Sequence, residues 1–175
     1  MKVCRKHFDY IHECISILDE KLSNLSKPYH EFIKLASTIP GVTDKSATYI
    51  ITKIGTDMSV FKSSKHLCSW ASLTIQNNKS AEKKKSVRIS CAGVYLNPLL
   101  VQCGNAAIRD KKNPYFKFKY DCIKKRRGHK RAIIIAIARM ILIYIYHMFL
   151  KKEVFHPTET DYSDILEELY KKHRE

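Results

Sequence analysis

The sequence predicts an all-α protein: an N-terminal coiled-coil helix, then a compact helical domain with a helix-hairpin-helix-like start and a long central apolar helix. Three observations carry this. Apolar residues step by three and four from position 8 to 36, a Pro-Gly pair separates two apolar helical patterns near residue 40, and residues 132–150 form an almost unbroken apolar run. The 175-residue chain is 45% hydrophobic, enough to bury a core.

The first stripe is Phe8, Ile11, Ile15, Leu18, Leu22, Leu25, Tyr29, Phe32 and Ala36. Alternating steps of three and four are the seam of a coiled coil, and over so few heptads they equally describe a stripe packed on its own domain. Pro28 interrupts the run. Ser26 is placed to cap a fresh helix with Pro28 in its first turn, so one helix is expected to about Asn24 and another from Lys27 to Thr38. Pro40-Gly41 then forms a tight turn, and Thr43 is the expected cap of a helix running to Ile54 with Gly55 as its stop. Two helices around a Pro-Gly turn can offer turn amides and a helix N-terminus to a phosphate, which makes Gly41 and nearby Lys45 candidate nucleic-acid contacts. Thr43 stands where such motifs usually carry a second glycine, and a purely structural αα-hairpin fits the same residues.

Helical patterns resume at Ser64–Ala71, at Tyr95–Arg109 with Leu96, Leu99, Leu100, Cys103 and Ala107 on one face, and at Pro114–Arg127. Between Leu73 and Ala92 no apolar period is visible, and a loop or short irregular structure is expected. The run Ala132–Leu150, broken only by Arg139 and His147, is long enough to span a bilayer. A lone mid-span arginine with no second hydrophobic segment to partner it favours a core helix instead. A last amphipathic helix is expected at Tyr162–Lys172, acidic in its first turn and basic in its last. These elements divide the chain into linker helices at 1–33, a helical domain at 34–155 and an acidic amphipathic tail helix at 156–175.

Charge narrows the function classes. Lys and Arg number 32 against 17 Asp and Glu, a net +15, and such an excess draws polyanions, nucleic acid ahead of an anionic membrane. Six cysteines at 4, 14, 68, 91, 103 and 122 show no Cys-x-x-Cys spacing and no compact Cys/His cluster, and no secretory signal opens the chain. The reading is of a reduced, cytoplasmic protein with no metal ligated by this chain. The stretch Asn77-Asn78-Lys79-Ser80-Ala81-Glu82-Lys83-Lys84-Lys85-Ser86-Val87-Arg88 sets one hydroxyl among cations. A hydroxyl that attacks a phosphodiester needs such cations to hold the phosphate and stabilise its developing charge. Lys/Ser-rich surface loops are common, so the loop alone is weak evidence.

In order and spacing these pieces resemble the C-terminal domain of the DEDD transposases, the insertion-sequence-110 family to which Piv-type invertases belong. The likeness covers residues 33–155. Leu35…Ile39-Pro40-Gly41-Val42 resembles the family's opening, and Phe61…Leu67-Cys68-Ser69-Trp70-Ala71-Ser72-Leu73-Thr74 its segment ending W-A-G-L-x-P. Asn77 to Lys83 is similar to its N-N-x-S-A-G-K loop, and Gly93-Val94-Tyr95-Leu96-Asn97-Pro98-Leu99-Leu100-Val101-Gln102-Cys103 to its G-N-x-x-L-R helix. Gly128-His129-Lys130-Arg131-Ala132, the Ile-rich helix and Tyr146-His147-Met148 resemble its end.

The resemblance implies that Ser80 is the nucleophile joined covalently to DNA, and that Lys83, Lys84, Lys85 and Arg88 hold phosphate. The basic run Lys125, Arg126, Arg127, Lys130 and Arg131 is a further candidate nucleic-acid contact. It also implies a separate RNase H-like domain with an Asp-Glu-Asp-Asp site for Mg²⁺, a guide RNA, and dimers joined through the N-terminal coiled coil. Seven residues before the seam leave no room for that metal domain, so the expectation is the C-terminal portion of a transposase, unable to cut DNA unaided. Departures from the pattern are Ser72, Glu82 and Val87 for glycines, Ile75 for proline and Asn97 for arginine. Glu82 adds negative charge where phosphate would approach, and Val87 stiffens the loop. The alternative readings are a non-catalytic nucleic-acid-binding remnant and a basic membrane-anchored protein.

Overall fold

The computed structural model describes residues 2–74, 79–80, 83–84, 94–126 and 130–157. The fold is all-α. Its helices are α1 (Lys2–Ser26), α2 (His30–Ser37), α3 (Asp44–Ile54), α4 (Ser64–Trp70), α5 (Leu96–Arg109), α6 (Tyr115–Arg126) and α7 (Lys130–Lys151), with single 3₁₀ turns at Lys27–Tyr29 and Met58–Val60. Two strands of two residues each, β1 (Lys79–Ser80) and β2 (Lys83–Lys84), form a small antiparallel ladder. The expected loop at 73–92 thus contains a hairpin, too short to alter the class.

The chain divides into two units, residues 1–31 and 32–175. In the first, α1 leaves its apolar stripe open: Phe8, Ile11, Ile15, Leu18 and Leu25 are all exposed, Leu25 at 75%. Phe32 packs edge-on against Phe149 at 5.2 Å and Ala36 is fully buried, so the last two seam positions belong to the core of the second unit. Ser26 does not cap the following helix. Its hydroxyl donates back to the Ser23 carbonyl at 2.9 Å, because the chain stays helical through Ser26 (φ −84°, ψ −10°) and leaves no extended N-cap conformation. Pro28 sits in the 3₁₀ turn instead, where its missing N–H costs nothing.

In the second unit α7 is the axis, with α4, α5 and α6 packed around it and α3 packed on α5. Ile137, Ala138, Ile141, Leu142 and Ile145 are fully buried, and Ile133, Tyr146, Met148 and Phe149 nearly so. Apolar residues all round a helix are what a central core position requires. Each fully buried Ile or Leu contributes roughly 1.5–3 kcal/mol relative to exposure, so the inner face is already sheltered by protein. Residues 133–151 meet a bilayer's length and apolarity, and half of that span is buried inside the fold. Arg139 is half-buried and His147 exposed.

An aromatic cluster closes the lower end of the core. Phe116 stacks on Phe155 at 5.8 Å, Tyr144 meets Phe155 edge-on at 5.0 Å, and the Tyr115 and Tyr144 hydroxyls hydrogen-bond at 2.6 Å. Beyond α7 the chain returns over this cluster, and the Phe155 amide donates to Thr38 Oγ1 at 3.1 Å. That bond ties the end of the described chain to the turn before α3.

Candidate nucleic-acid interface

The turn at residues 38–43 is built by local bonds and one close approach. The Thr38, Ile39 and Val42 amides donate to Leu35, Ala36 and Ile39 at 3.0–3.2 Å, while Ile39 and Val42 enter the core. Gly41 has φ +82°, and a Cβ there would lie 2.4 Å from the Ala107 nitrogen and 2.5 Å from the Cys103 carbonyl oxygen. Both its left-handed backbone and its contact with α5 demand glycine. The glycine that sequence reasoning marked for phosphate contact therefore seats the turn against α5.

Thr43 caps α3 as expected: it is extended (φ −89°, ψ 163°) and its hydroxyl accepts from the Ser46 amide at 3.2 Å. Gly55 ends the helix at φ 74°. Asp44 and exposed Lys45 stand in the first turn. Ser46 also hydrogen-bonds the Cys103 thiol, but burial dominates there and pushes that thiol above its ordinary value. Cys68, under α7, is raised for the same reason, with the positive charge of Arg139 opposing the shift.

The second component is the hairpin. Ser80 is the register partner of Lys83, and Lys79 of Lys84. Of the loop cations, Lys85 and Arg88 lie outside the described residues. Ahead of the hairpin, α4 ends in a Schellman motif: the Leu73 amide donates to the Cys68 carbonyl at 2.9 Å and the Ser72 amide to Ser69 at 3.1 Å. Ser72 holds the left-handed position at φ 59°, where glycine is usual. It is 1% exposed, and among the described residues its hydroxyl has no hydrogen-bond partner. The Asn97 amide donates to the Ser72 carbonyl at 3.0 Å, fixing the exit toward the hairpin to the start of α5.

The third component is the junction of α6 and α7. Lys125 is exposed, Arg126 is the last residue of α6, and Lys130 and Arg131 open α7; Arg127 lies outside the described residues. Cations at the C-terminus of α6 suit its dipole, whereas Lys130 and Arg131 oppose that of α7, whose first turn holds no acid. Among the described residues no group of three His, Cys, Asp or Glu side chains converges as a metal cage would require. The expected tail helix, Tyr162–Lys172, also lies outside them.

Residues 33–121, just over half of the chain, match the transposase IS116/IS110/IS902 family. The chain belongs to that family. It is also 27% identical over 143 residues to the pilin gene-inverting proteins of Moraxella bovis and Moraxella lacunata, an alignment covering 77% of this chain and 42% of each relative. The chain thus spans under half the length of these curated relatives. The family match encloses the turn at Gly41 and the hairpin at Ser80 and ends at residue 121 within α6, before the basic residues of the junction.

Sequence reasoning missed one feature. Tyr49, Thr52 and Lys53 of α3 line a groove with Tyr95, Leu96 and Leu99. Tyr49 and Lys53 stand four apart on one helix face, a readable signal, but Tyr95 comes from the far side of the hairpin and only the fold brings it there.

Proposed function

We propose that this chain is the DNA-binding serine domain of an insertion-sequence transposase of the DEDD, Piv-like type, and that Ser80 is its nucleophile. The observation that carries this is the register of Ser80 with Lys83 inside the family-matched region. Register partners on an antiparallel pair are near neighbours along the backbone, so a lysine position is paired with the position of the hydroxyl-bearing residue. In the reaction, the serine oxygen forms a bond to phosphorus while the bond from phosphorus to the leaving sugar oxygen breaks, leaving a phosphoserine adduct. Lys83, Lys84, Lys85 and Arg88 hold the phosphate and stabilise charge on its oxygens. Gly41 and Lys45 at the turn, and Lys125, Arg126, Arg127, Lys130 and Arg131 at the α6–α7 junction, hold neighbouring phosphates along the backbone.

The metal chemistry of such a reaction needs converging carboxylates that the described residues do not supply, so this chain's share is binding, positioning and nucleophile. In this reading Mg²⁺ would be held by the carboxylates of a separate metal domain, and the expectation is that this chain alone does not cut DNA. The exposed apolar stripe of α1 supports a homodimer through a coiled coil, the excess charge supports a guide RNA beside the DNA, and the burial of α7 supports a cytoplasmic protein with no membrane partner.

The test uses labelled element ends, Mg²⁺ and a full-length relative whose own serine is replaced by alanine. Native chain should yield a DNA adduct that survives detergent denaturation, with the added mass on Ser80, and Ser80→Ala should yield none. An adduct formed equally by Ser80→Ala refutes the nucleophile. DNA binding with no adduct from either chain supports the second reading, a non-catalytic nucleic-acid-binding remnant, which Glu82 in the loop favours.

A further inference from the structure

We propose that the groove between α3 and the start of α5 is a stacking site for one unpaired nucleobase. Its floor is Leu96, buried, and Leu99, half-buried; its walls are Tyr49, Tyr95, Thr52 and Lys53. Both tyrosines are open to solvent, Tyr95 at 75% and Tyr49 at 46%, although neither is needed by the core. Exposed rings over an apolar floor offer flat, dry faces, and the space between is about 240 Å³. That is below the roughly 300–1,000 Å³ of sites for drug-sized ligands, so it suits one ring system rather than an extended small molecule.

Charge selects among flat ligands. Lys53 Nζ lies over the Tyr95 ring, 5.0 Å from its centroid, so it covers one ring face and puts a cation in an otherwise apolar lining. The Thr52 hydroxyl is already donated to the Thr48 carbonyl at 2.8 Å, and Tyr49 and Lys53, four residues apart on α3, face the groove together. An apolar-faced ring joined to an anionic backbone satisfies every part of this lining: the base lies against tyrosine and leucine, and its phosphate meets the ammonium. Bases in a duplex are stacked on one another and cannot enter, so the occupant is an unpaired strand. With the Thr52 proton already given to Thr48, stacking dominates the lining and the site is expected to accept any base. The proposal rests on the nucleic-acid reading above but uses different residues.

The experiment measures fluorescence anisotropy of labelled oligothymidylate, oligouridylate and a duplex with the full chain at fixed salt. Tyr49→Ala and Tyr95→Ala should each weaken single-strand binding by roughly fivefold to a hundredfold, with duplex affinity and thermal midpoint unchanged. Tyr95→Phe should retain native affinity, since the ring rather than the hydroxyl does the stacking. Lys53→Ala should lower the single-strand salt slope by about 0.7, one phosphate's share. The DNA and RNA strands should bind alike; preference for one by more than tenfold would overturn the absence of sugar readout. Single-strand affinity unchanged in both alanine variants overturns the groove alone. A native chain that binds neither single strand nor duplex sinks the wider nucleic-acid reading as well.

Discussion

Replacing Ser72 by glycine should stabilise this protein. Ser72 occupies the left-handed position of the Schellman motif that ends α4, at φ 59°, and a side chain there costs roughly 1–2 kcal/mol that glycine avoids. Its hydroxyl is buried without a partner, a further penalty of about 1–3 kcal/mol. Against these stand the extra freedom glycine gives the unfolded chain, about 0.5–1 kcal/mol, and the small contact area lost with the side chain. The net expectation for Ser72→Gly is a gain of about 2 kcal/mol, or a rise in Tm of roughly 4–8 °C for a chain of this size. Ser72→Ala isolates the hydroxyl: it removes the unpaired oxygen, keeps the left-handed strain, and should recover only part of the gain. Urea unfolding followed by circular dichroism, with calorimetry for Tm, reads both. A neutral or destabilising Ser72→Gly, or an alanine variant as stable as the glycine one, would refute the assignment of strain to this backbone position.

Two glycines, Gly41 and Gly104, should respond in opposite ways. Gly41→Ala drives a methyl into the backbone of α5 at 2.4 Å from a left-handed residue and should cost about 3 kcal/mol or more in urea unfolding. Gly104 lies inside α5, where a Cβ would meet Ala138 and Ile134 at an ordinary 3.5 Å, so Gly104→Ala should be neutral or stabilise by up to about 1 kcal/mol. The thiols of Cys68 and Cys103 are raised by burial, so at pH 8 both should react with a disulfide reagent far more slowly than exposed Cys4. The folded chain holds these protons more tightly than the unfolded one, so stability falls as pH rises past the ordinary thiol value of 9.0; flat stability from pH 8 to 10 would contradict this.

Much of this fold is written locally. The edges of α3 follow from Thr43 and Gly55, those of α5 and α6 fall within a residue of their apolar patterns, and α7 follows from a run no surface helix could carry. What failed was non-local. The three-four stripe from Phe8 to Ala36 describes a coiled-coil seam or a stripe packed on its own domain; Phe32 packs against the core and Ala36 is buried in it, and spacing alone does not say which residues do so. Ser26 has the composition of a cap, but backbone that stays helical through the Pro28 turn removes the geometry a cap needs. The hairpin was hidden because four strand residues, three of them lysine, carry no hydrophobic alternation. For the site, charge and likeness to the family are what single out the basic clusters and Ser80 as proposals. The packing role of Gly41, the strain at Ser72 and the meeting of Tyr95 with α3 depend on contacts between residues dozens of positions apart.

In the proposed function clustered cations grip a polynucleotide backbone, and the salt dependence of duplex binding tests that most directly. Log K against log salt should be steep for native chain, and the slope should fall by about 0.9 for each cation that touches phosphate and is removed, here by replacing Lys83, Lys84, Lys130 and Arg131 one at a time with alanine. Binding that is insensitive to salt, or a native slope kept by all four variants, would contradict it.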